Sequence, residues 1–354
     1  MLRKKYTSLS RIGWVDVARG IGILLVIFGH VSKNNKLVTY ISAFHMPLFF
    51  FISGYLFDKK KHKDFLPFMR KRAASLVLPY FFFSSISLLF WSLAGIATPA
   101  SEKFWPLVAG SFYSNSRMET LPMLNDPLWF LTCLFVVELM FFLFAKLLRG
   151  KWLIALLYLM SVIGYLYPAA GLPPLPWGTE VALTAVVFYG AGYLARRVRR
   201  SPVNPDSSKN IAVVFALSLI VFAIVPLLNI NVSINYLNFG NYLYFYLAAA
   251  AGIAITVILA RWLSRSRFLA YLGRNSLAIL GLHWMLLPVY LFPALTWQIS
   301  LDFWQSLGYS ALMLIALLSA LPLINAILPF LRGEGRAEKN GDSRLLIHKV
   351  ISRR

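Results

Sequence analysis

The chain has 354 residues, of which 59% are hydrophobic and only 14% charged, against about 25% charged in a typical soluble domain; its mean hydropathy is +0.67. The net charge of +22 would suit a nucleic-acid binder, but Lys and Arg stand in short clusters between apolar runs, a pattern of membrane topology rather than of a nucleic-acid surface. The short alternating segments of a membrane β-barrel are absent, and apolar runs of about 20 residues, long enough to cross a bilayer, recur throughout, so the expected fold is an all-α polytopic bundle.

Taken in chain order, residues 1–12 form a basic segment, "MLRKKYTSLSRI", leading into a long apolar run. No small-residue cleavage site follows a short apolar region, so the first helix is read as uncleaved. Ten spans follow, at approximately 13–32, 38–57, 73–95, 127–148, 152–168, 179–197, 210–229, 240–262, 275–293 and 304–331. Together they make one transmembrane domain, 13–331, followed by a charged tail, 332–354. With ten spans the basic clusters all fall on one side, and only Lys33, Lys36, Lys103 and Arg117 fall on the other. Both termini are therefore expected in the cytoplasm. The largest outer segment, roughly 96–126, reads as a polar loop that can touch a hydrophilic substrate. The single cysteine, Cys133, excludes a disulfide within the chain and any site built on paired cysteines; no spacing of His and carboxylates suggests a metal.

The first span, "WVDVARGIGILLVIFGHV", carries Asp16, Arg19 and His30, and ionisable groups in a span are costly unless they face the bundle interior or a wet cavity. Arg19 and His30 are eleven positions apart, which places them within about 20° of one azimuth and about 16 Å apart along the axis. Asp16 lies one turn below Arg19. The three read as one wall of a polar path, or, more plainly, as an interfacial ion pair and a helix-end histidine. His45 opens the second span at a depth similar to His30. Glu138, halfway along the fourth span, needs a partner or a proton, and Arg19 is one candidate. Asn125, Asp126 and Trp129 stand at the outer mouth of that span, where two polar groups and an aromatic face suit a sugar, although an aromatic belt explains Trp129 equally well. Glu180 is a weaker candidate of the same kind. His283 reads as a packed core histidine, and His62 and His348 as bystanders in basic segments.

Five stretches in order, "WVDVARGIGILLVIFGH", "FHMPLFFFISGYLF" with the basic loop running into "LVLPYFFFS", "DPLWFLTCLFVVE", "FYGAGYLARR" and "YLGRNSLAILGLHW", resemble the acyltransferase-3 family over about residues 12–330. They look most like its branch of fucose 4-O-acetylase-like sugar O-acetyltransferases. The resemblance implies ten core helices in a bacterial cytoplasmic membrane. It also implies acetyl-CoA, or another acyl-CoA, as donor and a hydroxyl of a surface polysaccharide or its lipid-linked precursor as acceptor. The family's first-helix motif, a basic residue, ten intervening residues and a histidine, is matched by Arg19 and His30. On this reading Arg19 helps hold the donor and His30 serves the transfer as a base or as a covalent relay; Asp16 and His45 join them as catalytic candidates on their position alone, His45 to orient His30 or bind the acceptor. Donor phosphates would meet Arg70, Lys71 and Arg72. The family often has two arginines separated by two residues here, and Ser75 stands in the second place. Should these three not bind the donor, Arg19 and the Arg265–Arg274 loop are next. The acceptor would meet Asn125, Asp126, Trp129 and Glu138. The rival class is a multi-span transporter or flippase of a glycan or small metabolite. It should show internal repeats and polar residues in both halves, whereas here the ionisable intramembrane residues concentrate in the first four spans.

Overall fold

The computed structural model describes residues 13–32, 36–95, 102, 104–199, 208–229, 231–296 and 301–331; the basic N-terminal segment, the charged tail and His348 lie outside them. The described residues form helices α1 (Gly13–Val31), α2 (Lys36–Leu56), α3 (Phe65–Arg72), α4 (Leu78–Leu93), α5 (Phe104–Tyr113), α6 (Trp129–Leu147), α7 (Lys151–Leu166), α8 (Thr179–Arg199), α9 (Ser208–Leu228), α10 (Tyr242–Trp262), α11 (Arg267–Arg274), α12 (Ser276–Thr296) and α13 (Phe303–Leu331). Among them the only extended pairing is an isolated bridge, Ser233 with Asn238. Seven helical stretches are long and apolar enough to cross a membrane, and Lys151–Leu166 and Ser276–Val289 are shorter apolar helices. The architecture fits a polytopic membrane protein.

Two differences from the sequence expectation have simple causes. The third span does not begin at residue 73. Helix α3 runs into α4 through one wide turn of π-helix at Ala73–Val77, so the basic residues 70–72 belong to the helix and not to a loop. The outer segment 96–126 is not all loop: "FWPLVAGSFY" forms α5, too short to be read as a span.

Glycines set how closely the helices pack. A Cβ at Gly20 would overlap the carbonyl of Leu269, and one at Gly273 the carbonyl of Asp16, so α1 and α11 meet backbone to backbone. Gly54 and Gly192 join α2 to α8 in the same way, against Tyr189 and Phe51. Close approach through small residues is a principal source of association between membrane helices. The last carbonyls of α2, left without intrahelical donors, are gathered by Arg196 of α8, whose Nη1 donates to the carbonyls of Tyr55, Leu56 and Phe57. The core lies among α1, α2, α6, α8 and α12. Helix α9 by contrast exposes Leu217, Ile220 and Ile224, the outward face expected where lipid covers it.

Candidate active site

Between α1, α2, α6 and the α11–α12 junction lies a cavity of about 280 Å³ whose polar wall includes Arg19, Arg72 and Arg274. Arg72 reaches it because consecutive helical residues point about 100° apart, so Arg70, Lys71 and Arg72 cannot share a face. Arg70 and Lys71 are exposed. Lys71 lines a separate surface depression with Lys60 and Lys63. The structure therefore brings one of the three predicted donor-site residues to the cavity, and adds Arg274 from the loop that stood next in line. Ser75, in the place of the family's second arginine, also lines it, on the π-turn. π-turns are rare and occur often at functional sites.

Arg72 is held in a two-pronged ion pair. Its Nε donates to Glu138 Oε2 and its Nη2 to Oε1 at 2.5 Å. The Glu138 side chain is 3% exposed and that of Arg72 26%. Glu138 thus has Arg72 as its direct partner, while the Arg19 charge also acts on it. Both carboxylate oxygens are taken, and Glu138 does not line the cavities at the opposite end where a sugar is expected. Asp16 is buried on the side of α1 that meets Gly273 and lines neither cavity described here.

A second cavity, about 130 Å³, lies toward the other end of α1. His30, His45, Asp126 and Trp129 line it, together with Asn235 and Tyr236 of the 231–241 segment. A neighbouring cavity of about 590 Å³ shares His30 and His45 with it. The two inner cavities share Val26, Met46 and Leu280, so these three side chains form the partition between them. Along α1 the lining residues are Arg19, Ile23, Val26 and His30, at spacings of four, three and four. That is one face of a helix, and it carries the arginine to one side of the partition and the histidine to the other.

Each histidine has a defined setting. His45 Nδ1 lies 2.7 Å from the carbonyl oxygen of Ile41. A carbonyl only accepts, so Nδ1 carries the proton and the neutral ring has its lone pair on Nε2. The His30 ring lies edge-on to Trp284, with centres 5.2 Å apart, and 5.2 Å from the ring of His283 at 43°. Asn125 is buried away from the cavities. Its Nδ2 donates to Ser87 Oγ (2.9 Å) and the Gly281 carbonyl (2.8 Å), tying α4 to α12. Glu180, also buried, accepts from Asn115 Nδ2 (2.7 Å) and the Leu175 amide (3.1 Å), and pairs with Arg117. It pins the segment between α5 and α6.

Residues 12–327 match the family described as an acyltransferase domain, acyltransferase-3. The chain belongs to the acyltransferase-3 family. No curated protein and no solved structure matches it. In this membrane acyltransferase, sequence reasoning passed over two features of the site. One is the contact of His283 with His30, across 253 positions of sequence, for which the signals were a histidine in an apolar span and its place in the stretch "YLGRNSLAILGLHW". The other is the 231–241 segment, in which Val232, Ser233, Ile234, Asn235 and Tyr236 all line the second cavity, and Val232, Ile234 and Leu237 are buried. It is fixed by Asn229, which donates to the Phe239 carbonyl and accepts from the Asn241 amide. Nothing in its composition marks it off from an ordinary loop.

Proposed function

We propose that this acyltransferase is a fucose 4-O-acetylase-like O-acetyltransferase. It takes acetyl from acetyl-CoA at the arginine-lined end, which faces the cytoplasm, and passes it to a sugar hydroxyl of a surface polysaccharide or its lipid-linked precursor at the histidine-lined end. The observation that carries this reading is the pair of cavities meeting at Val26, Met46 and Leu280, with guanidinium groups on one side and imidazoles on the other. Arg19, Arg72 and Arg274 outnumber the single carboxylate of Glu138 beside them, leaving the first cavity net positive and suited to a donor bearing phosphates. The second offers Asp126 and Asn235 for sugar hydroxyls and Trp129 and Tyr236 for a sugar face. His30 lies about 16 Å along α1 from Arg19, so the flexible arm of the donor carries the thioester past the partition.

At the reacting end a neutral His30 takes the proton of the acceptor hydroxyl as its oxygen attacks the thioester carbonyl carbon. The carbon–sulfur bond then breaks, and the thiolate leaves and takes up the proton. His45, with its lone pair on Nε2, accepts a hydrogen bond from the acceptor and holds it in line. The test is a mass comparison of surface glycans from cells with and without the protein, combined with hydrolysis of radiolabelled acetyl-CoA by purified protein in liposomes. A glycan that loses one acetyl mass, and a thioester that is cleaved, support the reading. Unchanged glycans and an intact thioester overturn it.

A further inference from the structure

His283 is fully buried and lines none of the cavities around His30, so it touches neither donor nor acceptor. Its Nδ1 faces the carbonyl oxygens of Leu280 (2.9 Å) and Ile279 (3.2 Å). Two acceptors at Nδ1 require the proton there and leave the lone pair on Nε2. That Nε2 is buried with no hydrogen-bond partner among the described residues, and a buried acceptor left unsatisfied is costly. The ring it confronts is that of His30, with centres 5.2 Å apart. A ring nitrogen lies about 1.2 Å from its ring centre, so two imidazoles joined edge to edge by a hydrogen bond of about 2.9 Å have centres about 5.3 Å apart. The observed separation is close to that distance, so the two rings are near enough for a ring-to-ring hydrogen bond once the less buried His30 ring is turned to aim an N–H at His283 Nε2. Trp284, edge-on to His30, limits that rotation.

We infer that His283 is a positioning residue for His30: its Nε2 lone pair accepts the N–H of the His30 ring, which fixes the His30 tautomer and turns the other His30 nitrogen, with its lone pair, toward the second cavity. An imidazole left to rotate and exchange tautomers would present the wrong nitrogen for part of the time. One locked by a neighbour whose own tautomer is set by the backbone presents the same nitrogen throughout. The inference rests on the transfer role proposed for His30, but the bond itself is a separate, measurable thing.

The test has a kinetic arm and a spectroscopic one. His283→Phe keeps a buried ring and removes the acceptor, whereas His283→Gln keeps an acceptor oxygen. In liposome-reconstituted protein, His283→Phe should lower kcat for acetyl transfer by about 10–100-fold, the usual effect of removing a partner that orients an active group. KM for acetyl-CoA should stay within about twofold, because the donor cavity is untouched, and His283→Gln should recover most of kcat. A His283→Phe protein with wild-type kcat, or a His283→Gln protein as slow as His283→Phe, overturns the inference. If His283→Phe does not insert, protein of natural sequence with ¹⁵N-histidine decides: a nitrogen–nitrogen coupling across the hydrogen bond between His30 and His283 supports the inference, and a proton found on His283 Nε2 overturns it. Should His30→Ala retain full transfer, the catalytic reading of His30 falls while the coupling still reports on the bond.

Discussion

Replacing Arg72 with Met should damage the fold far more than replacing Glu138 with Gln, although each breaks the same ion pair. The asymmetry follows from exposure. The Glu138 side chain is 3% exposed and the Arg72 side chain 26%, facing a cavity. Arg72→Met strands a carboxylate whose two oxygens lose the donors that bracket them, and an uncompensated buried charge costs about 3–5 kcal/mol. Glu138→Gln removes the charge, keeps one acceptor for the guanidinium and leaves a cation with access to the cavity, a loss of about 1–2 kcal/mol. Arg72→Met with Glu138→Leu removes both charges and should recover most of the first loss, because an apolar pair of similar volume replaces a desolvated ionic one. The assay is the temperature at which detergent-solubilised protein leaves the monodisperse peak in fluorescence-detected gel filtration. Equal losses for the two single variants, or a double variant showing the sum of both, would refute the account of Glu138 as a buried anion held by Arg72.

His30→Ala should insert normally and lose transfer by about 10²–10⁴-fold, the range of a positioned proton-transfer group; wild-type turnover in that variant would return His30 to a helix-end residue. Arg19→Lys should bind acetyl-CoA better than Arg19→Ala, since charge is kept and only the planar fork is lost, as isothermal titration would show. Gly273→Ala forces a methyl group into the Asp16 carbonyl and should sharply lower the yield of folded protein, whereas Gly308→Ala meets nothing within 4 Å and should be silent; equal yields would contradict the backbone contact of α1 with α11. His62, stacked on Phe57 and close to Phe68, has its pKa lowered from 6.5, first by burial and then by Lys71 and Arg72. Below about pH 6.5 the unfolded segment takes up a proton before the folded one does, so stability here should fall as the pH drops through that window, until the folded group is itself protonated. Trypsin should therefore cut near Lys59–Lys63 faster at pH 5.5 than at pH 7.5, relative to a control substrate, and His62→Phe should remove the difference.

The helical membrane class was legible because apolar length is a property of continuous sequence, and so was the shared face of Arg19 and His30 on α1, because the two are related by helical geometry alone; Asp16, expected on the same stripe, lines neither cavity. What the sequence left open are relations between elements. That Glu138 meets Arg72 directly, with Arg19 acting from nearby, depends on how α3 and α6 pack together, and no composition signals it. Grouping Arg70, Lys71 and Arg72 treated them as a loop, and helical phase separates them. Asn125 looked like a sugar ligand because it is polar at a mouth, yet burial turns it to Ser87 and Gly281. His283 looked ordinary because its meaning lies in a ring contributed by α1.

The partition of Val26, Met46 and Leu280 has a further consequence, and it concerns electricity rather than acyl transfer. A protein holding one polar chamber near each face of a bilayer is a potential short circuit for protons and ions, driven by about 2.3 kcal/mol per charge for each 100 mV across the membrane. All three side chains, Val26, Met46 and Leu280, are almost fully buried, at 2%, 9% and 7% exposure, and none of them can solvate an ion or relay a proton. They act as an insulating washer one layer thick. An acyl arm can push a flexible methionine aside, while a hydrated ion would have to shed its water to follow. On the proposed function, the same few atoms that would stand between donor and acceptor would also let the cell keep a charged membrane around a pierced protein.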